Sequence, residues 1–299
     1  MTIRFAYNTN GTAHHRLDDA LALIADSGYD GVALTLDHHH FDPFEPEPEA
    51  RAERLARRLD LLGLGSVIET GARYLLDPRA KHEPTLVTAD PAGRARRIDF
   101  LKRAVDAAAV LRSEAVSFWA GVPRPGVDPA IAMQWVHDGL TDLTEHAATR
   151  GVTLALEPEP GMLVQTVDEY AAIAQRHPAL RLALDAGHCL VTGEIEPHEA
   201  LRRHAARLGT VSIEDMRRGE HVHLPFGEGD LDVPAVLDAV EEIGFTGLVC
   251  VELSRDSHRA DRMVPDALAW LQAALERRVR RAPEPDDAAA GTADRAGPT

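Results

Sequence analysis

Three apolar runs in this chain end in a carboxylate. Val152-Thr153-Leu154-Ala155-Leu156 runs into Glu157, Leu180 to Leu184 into Asp185, and Leu248-Val249-Cys250-Val251 into Glu252. Short apolar runs of this kind read as strands buried on both faces, which is the pattern of parallel sheets. Carboxylates so distant in sequence converge only if their strands stand side by side with the C-terminal ends together.

The rest of the chain repeats the unit. Further strands are predicted at Ile3–Tyr7 ending at Asn8, Gly31–Leu36 ending at Asp37, Leu64–Ile68 ending at Glu69, Ala115–Phe118 ending at Trp119, and Thr210–Ile213 ending near Glu214 and Asp215. Between them, apolar residues recur at helical spacing. Leu17, Leu21 and Ile24 are closed by Gly28, and Leu55, Leu59 and Leu62 by Gly63. Thr166 and Glu169 form a capping box, Pro197 opens a helix stopped by Gly209, and Asp232 caps a helix stopped by Gly244. Eight strand–helix units in alternation predict an α/β fold, a single (β/α)8 TIM barrel over residues 1–280. A doubly wound sheet fits less well, because no Gly-x-Gly-x-x-Gly follows the first strand. Residues 281–299 are Ala, Gly, Pro, Asp and Glu in the main, a composition that predicts a disordered tail. The polar stretch reaching Gly93, with Arg73, Arg79, Lys81, His82 and Glu83, is long enough to be a lid or binding loop. Residues after Asp215 are expected to be loop.

Composition narrows the function. A net charge of −16 without a long Lys/Arg block disfavours a nucleic-acid partner. No run approaches a membrane span, and the N-terminus lacks a signal-peptide pattern. Two cysteines, Cys189 and Cys250, lie in or beside apolar runs and read as small buried hydrophobes, so a cytoplasmic protein is expected. Lys81 and Lys102 are the only lysines, and neither ends a strand, which disfavours a Schiff-base enzyme.

In a barrel the chemistry sits at the C-terminal strand ends. Here these are Asn8, Asp37, Glu69, Trp119, Glu157, Asp185, Ser212 or Glu214, and Glu252. So many carboxylates in one cavity repel one another, and a bound cation removes that repulsion. Carboxylates with one or two imidazoles suit one divalent ion, Mn, Mg, Co or Zn. His188 lies three residues after Asp185, and Glu159 is placed at the rim. His221 and His223 stay open as ligands, substrate contacts or solvated groups. His38-His39-His40 reads as a solvated loop. If Glu157 and Glu252 flank a substrate carbon, one removes a proton and the other returns it on the opposite face. Glutamate is a weak base for that task, and a cation stabilising the enediolate closes the gap.

Three motifs, Leu156-Glu157-Pro158, Asp185-Ala186-Gly187-His188 and the stretch His223-Leu224-Pro225-Phe226-Gly227-Glu228-Gly229-Asp230-Leu231-Asp232, resemble the xylose isomerase-like superfamily of sugar-phosphate isomerases and epimerases. Val249-Cys250-Val251-Glu252 is the expected ending, and the resemblance spans roughly residues 3–276. It implies that Glu157, Asp185 and Glu252 bind metal, that Glu157 and Glu252 are the acid–base pair, and that His188 and Arg217 contact substrate oxygens. Glu69, His221 and Glu159 join the expected substrate contacts. The family carries a histidine ligand where this chain has Ser212, so the site is expected to use water, Ser212, Glu214 or His223 there. The endonuclease branch adds histidines at strand ends where this chain has Glu69 and Trp119, which argues against DNA repair. The resemblance also implies a homo-oligomer, dimer or tetramer. The leading expectation is a metal-dependent isomerase or epimerase of a small polyhydroxylated carbonyl compound. A dehydratase on the same scaffold and a non-catalytic sugar-binding barrel are the rivals.

Overall fold

The computed structural model describes residues 2–279. The strands are β1 (Arg4–Asn8), β2 (Gly31–Thr35), β3 (Gly65–Glu69), β4 (Val116–Phe118), β5 (Leu154–Leu156), β6 (Arg181–Asp185) and β7 (Leu208–Ile213), then a hairpin of β8 (Asp215–Arg217) and β9 (Glu220–Leu224), then β10 (Leu248–Val251). β1 to β7 and β10 are parallel and close a barrel in the order β1-β10-β7-β6-β5-β4-β3-β2. This is the expected (β/α)8 barrel. The expected tail, 281–299, lies outside the described residues.

Alternation along each strand explains where the site forms. Ala6, Ala33, Val67, Ala115, Leu248 and Cys250 make an apolar cluster of their own, separate from the main core. Residues from so many strands meet only inside the barrel, and their small side chains fit its narrow interior. One step up the same inner face come Asn8, Thr35, Glu69, Ser117 and Glu252. The interior therefore changes from apolar to polar within one pleat. The larger core lies between the strands and the surrounding helices. Cys189 and Cys250 are free and buried.

The helices are α1 (Leu17–Ser27), α2 (Pro48–Leu62), α3 (Pro91–Leu111), α4 (Pro129–Arg150), α5 (Val167–Arg176), α6 (Ala186–Thr192), α7 (Pro197–His204), α8 (Val233–Glu242) and α9 (Ala260–Val279). Their ends follow local chemistry. Asp90, Asp128 and Asp232 accept from first-turn amides, and Thr166 and Glu169 form the expected capping box. Gly28 and Gly63 end α1 and α2 in the left-handed conformation. Among the described residues no helix is long and apolar enough to cross a membrane.

Two local expectations are corrected, and one element is added. Gly209 does not stop a helix; it lies inside β7, at a register shift against β6 where Leu182 pairs Leu208 and Ala183 pairs Thr210. A Cβ there would come within 2.9 Å of Arg181 Cβ and 3.0 Å of Ala155 Cβ, so glycine serves close strand packing at a bulge. The segment after Asp215 is not all loop but holds the β8–β9 hairpin. A short helix, α6, starts directly after Asp185.

Candidate active site

Each site carboxylate is delivered by a strand end. Glu157 follows β5, Asp185 ends β6, Glu252 follows β10 and Glu69 ends β3. Asp185 is also the N-cap of α6: its Oδ1 accepts from His188 N at 3.1 Å, which brings the His188 ring back over the barrel. Glu157 Oε2 accepts from Ser117 Oγ at 3.2 Å, and Glu252 Oε1 accepts from Asn10 Nδ2 at 2.9 Å. The hairpin brings the remaining histidines. Asp215 is buried and accepts from Gly227 N at 2.8 Å and Leu231 N at 3.0 Å, tying down the glycine-rich turn that follows β9. Gly229 has no space for a Cβ beside Asp215 and the Met216 carbonyl. That anchoring holds His221 and His223 at the mouth.

Most of these groups line one cavity of about 540 Å³, while Asp185 is buried and is not part of its lining. Glu69, Glu157, Glu159, His188, His221, His223 and Glu252 line it, with Trp119 as its flat aromatic side. Trp119 rests on buried Arg97, whose guanidinium carbon is 4.3 Å from the ring centroid, and His82 meets it edge-on. Arg73, Lys81 and His82 come from the long segment after β3, and Arg255 from the loop after β10.

His188 sits at the centre. Its Nδ1 lies 3.0 Å from the Pro158 carbonyl and 3.9 Å from Glu157 Oε1. Its Nε2 lies 3.2 Å from His221 Nε2, and 3.8 Å from both Glu159 Oε2 and Asp185 Oδ2. Burial disfavours the imidazolium, yet Asp185, Glu159 and Glu252 outweigh it and raise the His188 pKa. Burial, then the charge of His188, pushes His221 down to about 4. His223 also falls to about 4, through burial against an opposing Asp185. The three imidazoles are thus pushed apart in proton affinity, His188 upward and His221 and His223 downward.

The carboxylates divide likewise. Burial raises Glu157 well above the usual range, with Glu159, Glu252 and Asp185 adding to it. Burial and then Asp185 raise Glu252. Glu69 and Glu159 rise to about 7, each chiefly through burial. Asp185 alone is lowered: His188 and His223 overcome the cost of its burial. Such spreading of pKa values in a cleft marks a functional site.

The structure thus brings together Glu157, Asp185, Glu252, His188, Glu69, Glu159, His221 and His223. Two triplets, Glu157-Asp185-His188 and Glu159-His188-His221, hold ligand atoms within 4.8 Å of one another. Ser212 faces inward beside Asp185, half-buried. Arg217 does not join the cavity; it is exposed on β8, with Nη1 3.8 Å from Glu220 Oε2. Asp37, His38 and His39 form a separate group in which His38 is exposed and paired to Asp37. Sequence reasoning missed Asn10, Thr35, Met162 and Arg255 in the lining. Asn10 and Arg255 lie two and three residues beyond strand-end positions, and that offset is the signal available for them.

Comparison with known proteins agrees with this architecture. The family model described as xylose isomerase-like TIM barrel matches residues 21–274. The putative L-ribulose-5-phosphate 3-epimerase UlaE of Shigella dysenteriae serotype 1 is 23% identical over 269 residues, covering 86% of this chain and 89% of the relative. Among solved structures, an L-ribulose 3-epimerase aligns with a TM-score of 0.75 at 22% identity, over 94% of this chain and 97% of the other. The IOLI protein with a zinc atom aligns at 0.73 and 20% identity, over 92% and 99%. At these identities the structural likenesses show the fold.

Proposed function

We propose, from the premise that the chain belongs to the xylose isomerase-like TIM barrel family, that it is a metal-assisted 3-epimerase of a ketose phosphate. The observation that carries this reading is the pair Glu157 and Glu252. Glu157 is buried and Glu252 half-buried, both have raised pKa, and they face one cavity from strands three positions apart in a ring of eight.

A carboxylate desolvated in this way is a stronger base than one in water, and its conjugate acid survives nearer neutral pH. One of the pair takes the proton from the carbon next to the ketone, and the other delivers a proton to the opposite face, which inverts that carbon. Asn10 holds Glu252 in position, and Ser117 holds Glu157. His188, its pKa raised by the surrounding carboxylates, faces the cavity and is placed to meet a substrate oxygen once substrate displaces its Nε2 contact with His221. Trp119 closes one side of the cavity against water.

The residues fit a divalent cation. Asp185 Oδ2 is buried without a hydrogen-bond donor, Glu157 and Asp185 hold ligand atoms within 4.8 Å of each other, and the charge of Asp185 raises both Glu157 and Glu252. Glu157, Asp185 and Glu252 would hold the ion, which supplies the positive charge that stabilises an enediolate. The cationic side of the cavity, Arg73, Lys81 and Arg255, suits a phosphate at the far end of the sugar. The ribulose-phosphate relative is consistent with that choice.

The test is deuterium wash-in. Protein loaded with Mn²⁺ is incubated in D₂O with L-ribulose 5-phosphate, and in parallel with free L-ribulose. The expected result is the C3 epimer carrying one deuteron, formed faster from the phosphate. Loss of water from either sugar marks a dehydratase instead. No exchange and no epimer from either removes the proposal.

A further inference from the structure

Strand β7 stands between β6 and β10, and so faces the space between Asp185 and Glu252. Register sets Ser212 beside Asp185 on one side and Cys250 on the other. Val251 pairs with Ile213, so Glu214 and Glu252 are the next step up on neighbouring strands, on the same inner face. Level with Asp185, β7 therefore offers only a short hydroxyl. Two residues on it offers Glu214.

Glu214 has no exposed surface, and neither of its carboxylate oxygens meets a hydrogen-bond donor. Asp185 Oδ2 and His223 Nδ1 are buried and unpartnered beside it. His223 Nδ1 lies 3.9 Å from Glu214 Oε1. A Cβ on Gly187 would collide with that same oxygen, so a glycine at the start of α6 is what leaves Glu214 room to lie against Asp185. The one partner of Glu214 is the Asp185 carboxyl, with which it can share a proton, and two buried carboxyls so placed are costly together once both ionise. Such a pair is what a cation site requires before the cation binds.

We infer that Glu214 is a ligand of the divalent cation, completing on the β7 side the set of Glu157, Asp185 and Glu252. This rests on the metal-assisted reading above and specifies the ligands of that same site. His223, with Nδ1 3.9 Å from Glu214 Oε1, is then the positioning residue for Glu214. The ligand set becomes all oxygen, which favours Mn²⁺ and Mg²⁺ over Zn²⁺ by comparison with a set containing imidazole.

The experiment titrates chelator-stripped full-length protein with MnCl₂ and ZnCl₂ by calorimetry, in the wild type, Glu214→Gln and Ser212→Ala, with metal-free melting temperatures alongside. The wild type and Ser212→Ala should bind one Mn²⁺ alike. Glu214→Gln should bind it at least about tenfold more weakly, with a metal-free melting temperature equal to or above wild type, since a buried like charge has gone. X-ray absorption of Mn-loaded wild type, which needs no variant to fold, should show oxygen neighbours without imidazole scattering. Wild-type affinity in Glu214→Gln would make that residue a proton-sharing partner of Asp185 only, and would overturn the inference. So would loss of affinity in Ser212→Ala, or imidazole in the absorption spectrum. Failure of the wild type to bind either metal removes the metal-assisted reading, and the ligand assignment with it.

Discussion

The two ends of the barrel treat the same kind of side chain in opposite ways. At the N-terminal end Glu114 has a donor for each oxygen: Arg4 Nη1 at 2.7 Å on Oε1 and Leu248 N at 2.9 Å on Oε2. It ties β1 to β10 across the foot of the barrel, where Arg4 pairs Leu248. At the C-terminal end Glu69, Glu157, Glu159, Asp185, Glu214 and Glu252 share one another's fields, and the oxygens of Glu214 and one of Asp185 have no donor beyond a proton the two carboxyls can share. A satisfied carboxylate holds strands together. An unsatisfied one keeps its capacity to bind a cation or carry a proton, at a cost the rest of the fold must offset.

The largest effect expected is on turnover. Glu252→Gln keeps the shape and the Asn10 contact but removes the base, so the exchange rate should fall by about 10²–10⁴ with an unchanged circular dichroism spectrum. Wild-type exchange in this variant would break the contrast, since the mouth would then be as structural as the foot.

Next comes stability on metal addition. Mn²⁺ at 100 to 1,000 times its Kd should add roughly 3–4 kcal/mol to wild type, because it binds only the folded state. Asp185→Asn should show little of this gain in the same denaturant titration. An equal gain in both would place the ion elsewhere.

The contrast was partly legible in the sequence. A carboxylate at the end of an apolar run is a local signal, and Glu157, Asp185 and Glu252 carried it. Gly209 had two local readings, helix stop or strand bulge, and only its closeness to Arg181 and Ala155 separates them. The β8–β9 hairpin is short, its alternation of Met216 on β8 and Val222 and Leu224 on β9 spans too few residues to stand out from a loop, and its anchoring is tertiary, through Asp215 to the amides of Gly227 and Leu231. Glu214 was visible as a strand-end acid, but its place beside Glu252 depends on register, which sequence does not encode locally. Arg217 was assigned by likeness to a motif, whereas the turn of the hairpin leaves it exposed beside Glu220.

A third prediction sharpens the contrast through pH. Burial, and then the charge of Glu252, raises Glu69 from 4.5 to about 7. The folded state therefore keeps a proton that the unfolded chain releases between those values. This stabilises fully below about 4.5 and is lost as pH rises through 7. In chelator, wild-type stability should fall across that window, and Glu69→Gln should flatten the fall by about 2 kcal/mol, read from urea midpoints at pH 5 and pH 7.5. A parallel profile in the variant would show Glu69 to be as well satisfied as Glu114.

The smallest effect belongs to the foot. Glu114→Ala removes an ion pair that is partly exposed on both sides, 41% for Arg4 and 27% for Glu114, so solvent screens most of its Coulomb energy. What remains is the Leu248 amide left without its acceptor, and the loss should be roughly 1 kcal/mol. Mn²⁺ affinity and exchange rate should not move, because the apolar layer of Ala6, Ala33, Val67, Ala115, Leu248 and Cys250 separates Glu114 from the mouth. If turnover falls along with stability, that layer transmits strain from the foot to Glu252 along β10. The two ends would then be one mechanical unit, and the pairing of Glu114 would belong to the function as much as to the fold.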